Sequence, residues 1–146
     1  MKHNTMAATY TLDVVTPERV MLSEPVTQTI APGTEGQIGI LANHAPLMTE
    51  LSPGEVTATL ADGRTTAHIV ISGGFMEVAP GGGQTTILAD HAERADEIDI
   101  TRAEADLTAA RQMLADTEPG SDQQAEARRS LAHAETRIRV SRSGPK

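Results

Sequence analysis

Within "EIDITRAEAD", Ile98, Asp99, Arg102 and Ala103 stand at spacings of three and four. On a helix those spacings put Asp99 with Arg102 and Ala103, and Ile98 with Arg102, on adjoining faces. An acid, a guanidinium, an apolar cover and a small residue suit a flat polar ligand. The same spacing also describes an ion pair at a helix start, worth about 0.2–0.5 kcal/mol. Spacing alone favours the ion pair. A second group, Arg129, His133 and Arg137, falls at i, i+4 and i+8. As a solvated stripe near a helix C-terminus it would suit the macrodipole. As a functional face it would meet an acidic partner or phosphates.

Other chemistry is hard to find. His3, His44, His68, His91 and His133 show no metal-ligand spacing. No serine sits in a nucleophile elbow, and no glycine-rich loop ends in Gly-Lys-Ser/Thr. "SGGF" and "GGGQ" read as bulges or turns. Acids are so frequent that no pair of carboxylates stands out. Nothing in the pattern points to catalysis.

The elements that must position these residues are of two kinds. Up to Asp90 the chain alternates. Tyr10, Leu12 and Val14 point one way and Thr11, Asp13 and Val15 the other, the period of a half-buried strand. "VTQTIA" alternates again, and Pro17, "SPGE" from Ser52, "ADGR" and "GGGQ" read as turns, with Asp62-Gly63 a hairpin signal. The sum is an all-β unit of about eight to ten short strands, a sandwich or flattened barrel. After Asp90 the period changes. Ile100, Ala103, Leu107, Ala110 and Leu114 make one helical stripe, and Ala127, Leu131, Ala134 and Ile138 another. Asp96, Asp99 or Thr101 can cap the first helix, and Ser121 or Asp122 the second. Pro119-Gly120 separates two helices that should lie antiparallel. "SRSGPK" reads as a frayed tail. With so few large side chains, the hairpin's seam is thin, and such a hairpin can be docked, undocked or extended by a ligand or partner.

Composition sets outer limits. The chain of 146 residues has no cysteine, which excludes disulfides and thiolate chemistry and fits a reducing compartment. Its aromatics are Tyr10 and Phe75, so stacking platforms for single-stranded nucleic acid are missing, and the net charge of −8 argues against nucleic-acid binding in general. No apolar run approaches the roughly 18–20 residues of a membrane span, and "MKHNTMAATY" lacks the apolar core of a signal peptide. Any membrane association would come through a partner. Charge is uneven: the net is −6 through His91, −7 from Ala92 to Glu126, and +5 from Ala127 onward. The last segment is the chain's basic surface.

Four stretches together, "LDVVTPERVMLSEPV", "GTEGQIGILANHAPLMTEL", "ISGGFMEV" and "TILADHAERADEIDITRAEA", resemble the epsilon subunit family of bacterial F-type rotary ATP synthases (delta in mitochondria). They occur in family order and spacing, from about Tyr10 to Val140. The resemblance implies a ten-stranded β-sandwich over residues 1–91, coupling parts of a rotor, and a C-terminal antiparallel helical hairpin over 92–146 with a regulatory role. It implies a non-catalytic central-stalk subunit that binds gamma, rests on the c-ring and restrains ATP hydrolysis at the alpha/beta head. Its place would be peripheral, on the cytoplasmic face of the bacterial plasma membrane, in a proton- or sodium-driven machine. It also implies a nucleotide site with the motif Ile/Leu-Asp-x-x-Arg-Ala, complete here as Ile98 to Ala103. No cofactor is required, and ATP, with or without magnesium, would be a regulatory ligand.

Carried over by position, Glu93, Ile98, Asp99, Arg102, Ala103 and Arg137 match nucleotide-contacting residues. Ala109 and His133 stand where strong binders have arginines, which should weaken binding. Glu35, Gln37 and His44 match the loop that faces the c-ring. The first helix is acidic, so an attractive contact with an acidic beta segment would rest on Arg128, Arg129, Arg137, Arg139 and Arg142. The rival reading is an ATP-sensing module whose hairpin folds on nucleotide.

Overall fold

The computed structural model describes residues 7–143. Residues 1–6, on which the signal-peptide reading partly rests, and residues 144–146 of the expected tail lie outside the described residues. Seven strands come first: β1 (Tyr10–Val15), β2 (Val20–Gly33), β3 (Gly36–Leu41), β4 (Leu47–Leu60), β5 (Thr66–Val78), β6 (Gln84–Ala89) and β7 (Ala92–Arg94). A short 3-10 turn, Ala95–Glu97, leads into α1 (Ile100–Asp116) and α2 (Asp122–Ser143).

The strands run in the order β1-β6-β5-β4-β2, and β2 pairs back onto β1, which closes the sheet into a five-stranded barrel. β1 and β6 are parallel; the other pairings are antiparallel. β3 pairs with Gln28–Gly33 of β2, beyond the stretch of β2 that pairs with β1, and β7 pairs with β5. Closure leaves few free edges. Leu12, Val14, Val26, Ile40, Val56, Ile69, Ile71, Met76, Val78 and Ile87 fill the interior. The alternation Tyr10-Leu12-Val14 is thus an inward face, as the sequence implies. At the barrel's wall the Tyr10 hydroxyl lies 2.6 Å from Thr29 Oγ1 and 3.0 Å from the Ile40 carbonyl, so its polar end is satisfied indoors.

The expected ten strands are seven, because three of them are long. β2 and β4 each span 14 residues and β5 spans 13. The "SPGE" stretch is not a turn: Pro53 pairs with Ser72 and Gly54 with Ile71 inside β4–β5. Proline and glycine here re-phase strands instead of ending them. In β5 the inward residues are Ile69 and Ile71, then Met76 and Val78. In β4 they are Leu51, then Val56 and Ala58. The shift on β5 passes through Gly73 and Gly74, both at positive φ. A Cβ on Gly74 would stand 1.9 Å from the Leu88 carbonyl oxygen. Asp62-Gly63 does form the β4–β5 turn, with Asp62 Oδ1 accepting from the amides of Arg64 and Thr65 at 2.8 Å each. The Thr65 hydroxyl, together with those two amides, lowers the Asp62 carboxyl to a pKa of about 2.

Of the three cap candidates for α1, Asp99 is the one used: its side chain accepts from the Arg102 amide at 3.1 Å. Ser121 Oγ accepts from the Gln124 amide at 3.1 Å and starts α2. The seam between the helices is built on alanine. Ala103, Ala110, Ala127 and Ala134 are at most 2% exposed. Leu107, Leu114 and Leu131 are half-buried at its margins, and Ile100, expected in the stripe, is 41% exposed. α2 runs through Ser143, so residues 141–143 are helical and not a tail. The hairpin lies against the barrel through a small cluster: Val70 of β5, Ala95, Ile98 and Val140.

Candidate functional site at the seam of barrel and hairpin

Glu93 belongs to β7, whose three residues pair with Ile69–Ile71 of β5. The barrel therefore holds this carboxylate rigidly, close to where α2 docks. Arg137 reaches it from α2: Nε to Oε1 at 2.7 Å and Nη2 to Oε2 at 3.2 Å. This is a two-pronged pair of the strong, charge-assisted kind. The third prong, Nη1, meets Asp106 Oδ2 of α1 at 3.1 Å. Arg137 is 9% exposed, so one nearly buried guanidinium ties barrel, α1 and α2 together. Asp106 Oδ1 in turn lies 3.6 Å from Arg102 Nε, whose side chain is 73% exposed.

The matched nucleotide residues divide on this geometry. Glu93 and Arg137 are in direct contact. Arg102 joins them only through Asp106. Ile98 is buried in the docking cluster and Ala103 in the helix seam. Asp99 is engaged with a backbone amide of its own helix. Asp106 was not among the sequence candidates, although it sits four residues after Arg102 and that spacing is a signal.

The Arg129, His133, Arg137 stripe passes from solvent to barrel: Arg129 is exposed, His133 half-buried and Arg137 buried. His133 is half-buried; burial, then the nearby Arg137 charge, push its pKa below the ordinary histidine value. His133 lines a cavity of about 240 Å³ with Thr16, Arg19, Val70, His91 and Glu93. Ala109 and His133, the positions where arginine is absent, together line another cavity of about 240 Å³ between the helices. Arg129 and His133 border a wider opening of about 600 Å³ beside Pro53, Ser72 and His91.

The five candidate inhibitory arginines are not alike. Arg128 and Arg129 are exposed. Arg137 is committed as described. Arg139 Nη1 bonds Glu55 Oε1 of β4 at 2.9 Å, and Arg142 Nη2 stands 4.0 Å from Glu104 Oε2. Glu55 also takes His68 Nδ1 at 2.6 Å. A further link, missed in the sequence, joins Arg19 to Glu97 at 2.9 and 2.8 Å, with Arg94 on the same carboxylate. Its partners lie 78 residues apart, and no local pattern signals it.

The c-ring candidates fall at two places. Glu35 and Gln37 are exposed on and beside the β2–β3 turn. His44 lies beyond the other end of β3, with Nδ1 2.7 Å from the Ala45 carbonyl. The six residues of β3 separate the two places by roughly 17 Å at the usual strand rise. No group of three possible metal ligands occurs among the described residues. No described helix is long and apolar enough to cross a membrane.

Residues 9–95 match the family model "ATP synthase, Delta/Epsilon chain, beta-sandwich domain", and residues 96–142 match "ATP synthase, Delta/Epsilon chain, long alpha-helix domain". The chain is 47% identical over 131 residues to the ATP synthase epsilon chain of Herpetosiphon aurantiacus, covering 90% of this chain and 93% of that relative. It is 48% identical over 107 residues to the epsilon chain of Pelotomaculum thermopropionicum, covering 73% of this chain and 77% of that one. Among solved structures it resembles a chain of the Euglena gracilis mitochondrial ATP synthase OSCP/F1/c-ring assembly. The TM-score is 0.76 at 26% identity, over 92% of this chain and 82% of that chain. A chain of the Tetrahymena thermophila central stalk/c-ring assembly shares the fold, with a TM-score of 0.60 at 14% identity, over 94% of this chain and 99% of that chain.

Proposed function

Because the chain belongs to the ATP synthase delta/epsilon family, as an epsilon subunit of an F-type ATP synthase, we propose that it couples gamma to the c-ring and restrains ATP hydrolysis through α2. The role is non-catalytic and mechanical. The machine it serves is ion-translocating, with the proton as the favoured ion, and the subunit sits peripherally on the cytoplasmic face of the bacterial plasma membrane, held there by its partners.

The observation that carries the coupling is a row of apolar side chains on the outside of the barrel. Val20, Val15, Leu88 and Phe75 are cross-strand neighbours over β2, β1, β6 and β5. Val20, Leu88 and Phe75 are each more than half exposed. Contiguous apolar surface of this kind marks an interaction face. We assign it to gamma, and the exposed Glu35 and Gln37 turn to the c-ring. The restraint on hydrolysis rests on the arginines of α2, which stand in the chain's net-positive segment.

Two experiments test the two halves. Phe75→Asp with Leu88→Asp should abolish co-purification with gamma while the barrel stays folded; retention of gamma would remove the row from this role. Reversing Arg128, Arg129, Arg139 and Arg142 to glutamate should raise ATPase activity of the assembled enzyme. An unchanged rate would count against restraint through these charges.

A further inference from the structure

We propose that the docked hairpin is latched by the protein's own carboxylates, with Arg137 holding Glu93 of β7 and Asp106 of α1 at once, so that docking needs no nucleotide. The proposal goes beyond the stalk role and concerns the isolated chain, so it stands or falls independently of assembly with gamma or of ATPase rates.

The first argument is occupancy. Three separate nitrogens of the Arg137 guanidinium are bonded, at 2.7, 3.1 and 3.2 Å, to carboxylate oxygens. The group is nearly buried. A phosphate could reach it only by displacing a carboxylate already seated there.

The second argument is charge. Arg102, Asp106, Arg137 and Glu93 form an alternating chain of two cations and two anions. Its net charge is zero. An incoming polyphosphate finds no unmatched cation in that chain, and it would stand beside two carboxylates. Asp99, the acid of the matched motif, is engaged with the Arg102 amide. Of the neighbours in the cavity beside Glu93, Arg19 is held by Glu97, and burial together with Arg137 disfavours the charged form of His133.

The third argument is geometry. Glu93 is fixed by the barrel, Asp106 by α1 and Arg137 by α2. A single guanidinium therefore closes both the hairpin on itself and the hairpin on the barrel. Breaking it leaves two carboxylates without their shared, nearly buried cation, which costs more than the loss of a fully exposed pair.

The chain has no cysteine, so Met48→Cys and Gln123→Cys give two clean positions for spin labels, one on the barrel and one on α2. Both sites are exposed. Without nucleotide, pulsed dipolar spectroscopy should give one docked distance, and millimolar Mg–ATP should leave it unchanged. Arg137→Gln should lower the docked-to-undocked ratio on the order of a hundredfold and introduce a longer, broader distance. Amide exchange at Leu12, Val14 and Ile87 checks that the barrel is intact. Should Arg137→Gln fail to fold, Asp106→Asn is milder: it lies on the half-exposed side of the latch and should lower the ratio about tenfold. Two results overturn the latch. One is a wild-type arm that docks only after Mg–ATP is added. The other is unchanged docking in a folded variant, Arg137→Gln or, in its place, Asp106→Asn.

Discussion

Thr85 lies in β6 between Leu12 of β1 and Val78 of β5, fully buried, and its Oγ1 has no hydrogen-bond partner among the described residues. An unpaired hydroxyl in an apolar interior forfeits the bonds it makes with water in the unfolded chain. Thr85→Val keeps the shape and the β-branch and removes the orphan. The expected outcome is a gain of about 1 kcal/mol, read as a higher urea midpoint at unchanged slope. Tyr10 is the contrast, since its hydroxyl finds Thr29 and Ile40. Neither outcome is legible in the sequence. Alternation says that Tyr10 and Leu12 face inward, but whether a buried hydroxyl finds a partner depends on a strand 19 residues away.

At the scale of the element, the barrel's long strands depend on positions where the chain changes face. β5 needs Gly74 because a side chain there would collide with the Leu88 carbonyl of its neighbour at 1.9 Å. A backbone atom cannot step aside as a flexible side chain can. Gly74→Ala should therefore cost about 3 kcal/mol or more. Gly39, in β3, has open space where its Cβ would be. Gly39→Ala should change stability by no more than about 0.5 kcal/mol. Thermal unfolding of the two variants side by side checks the contrast. Such positions also explain why the local pattern suggests about eight to ten strands where seven are found among the described residues. Glycine and proline read locally as stops. Only the pairing of Pro53 with Ser72 and Gly54 with Ile71 shows that the ladder runs on through them. The helices were easier to read, because a 3-4 spacing of apolar residues has one structural meaning. Their cap was not, since Asp96, Asp99 and Thr101 offered similar oxygens, and the folded helix start shows Asp99 in use.

For the whole molecule, the junction of barrel and hairpin is held by ions as much as by apolar contact. The linker carboxylate of Glu97 takes two bonds from Arg19 of the β1–β2 turn. Those bonds, with the Arg94 amide and charge, hold its pKa at about 2, against 4.5 for the free side chain. A carboxyl depressed on folding stabilises the folded state above its unfolded pKa. That contribution fades as pH falls from about 4.5 to about 2. Wild type and Glu97→Gln should thus differ in stability at neutral pH and converge toward pH 2, which a series of urea titrations at stepped pH would show. Arg137, Arg139 and Arg19 each bridge the two parts of the chain in this way, to Glu93, Glu55 and Glu97.

By itself the sequence determined the kinds of element, their order, the inward residues of β1, the antiparallel hairpin with its alanine seam, and the family, because each of these is written in local period or in motifs of contiguous residues. Tertiary structure alone decided that the sheet closes into a barrel of long strands, and that the second helix buries Arg137 against that barrel while Arg128 and Arg129 stay exposed. It also chose which carboxylates the arginines hold. The physical reason is range. A period is set by neighbours three or four residues apart. The partners of Arg137, Arg139 and Arg19 lie 31 to 84 residues away. In an acidic chain every arginine has many candidate partners until the fold brings one of them within reach.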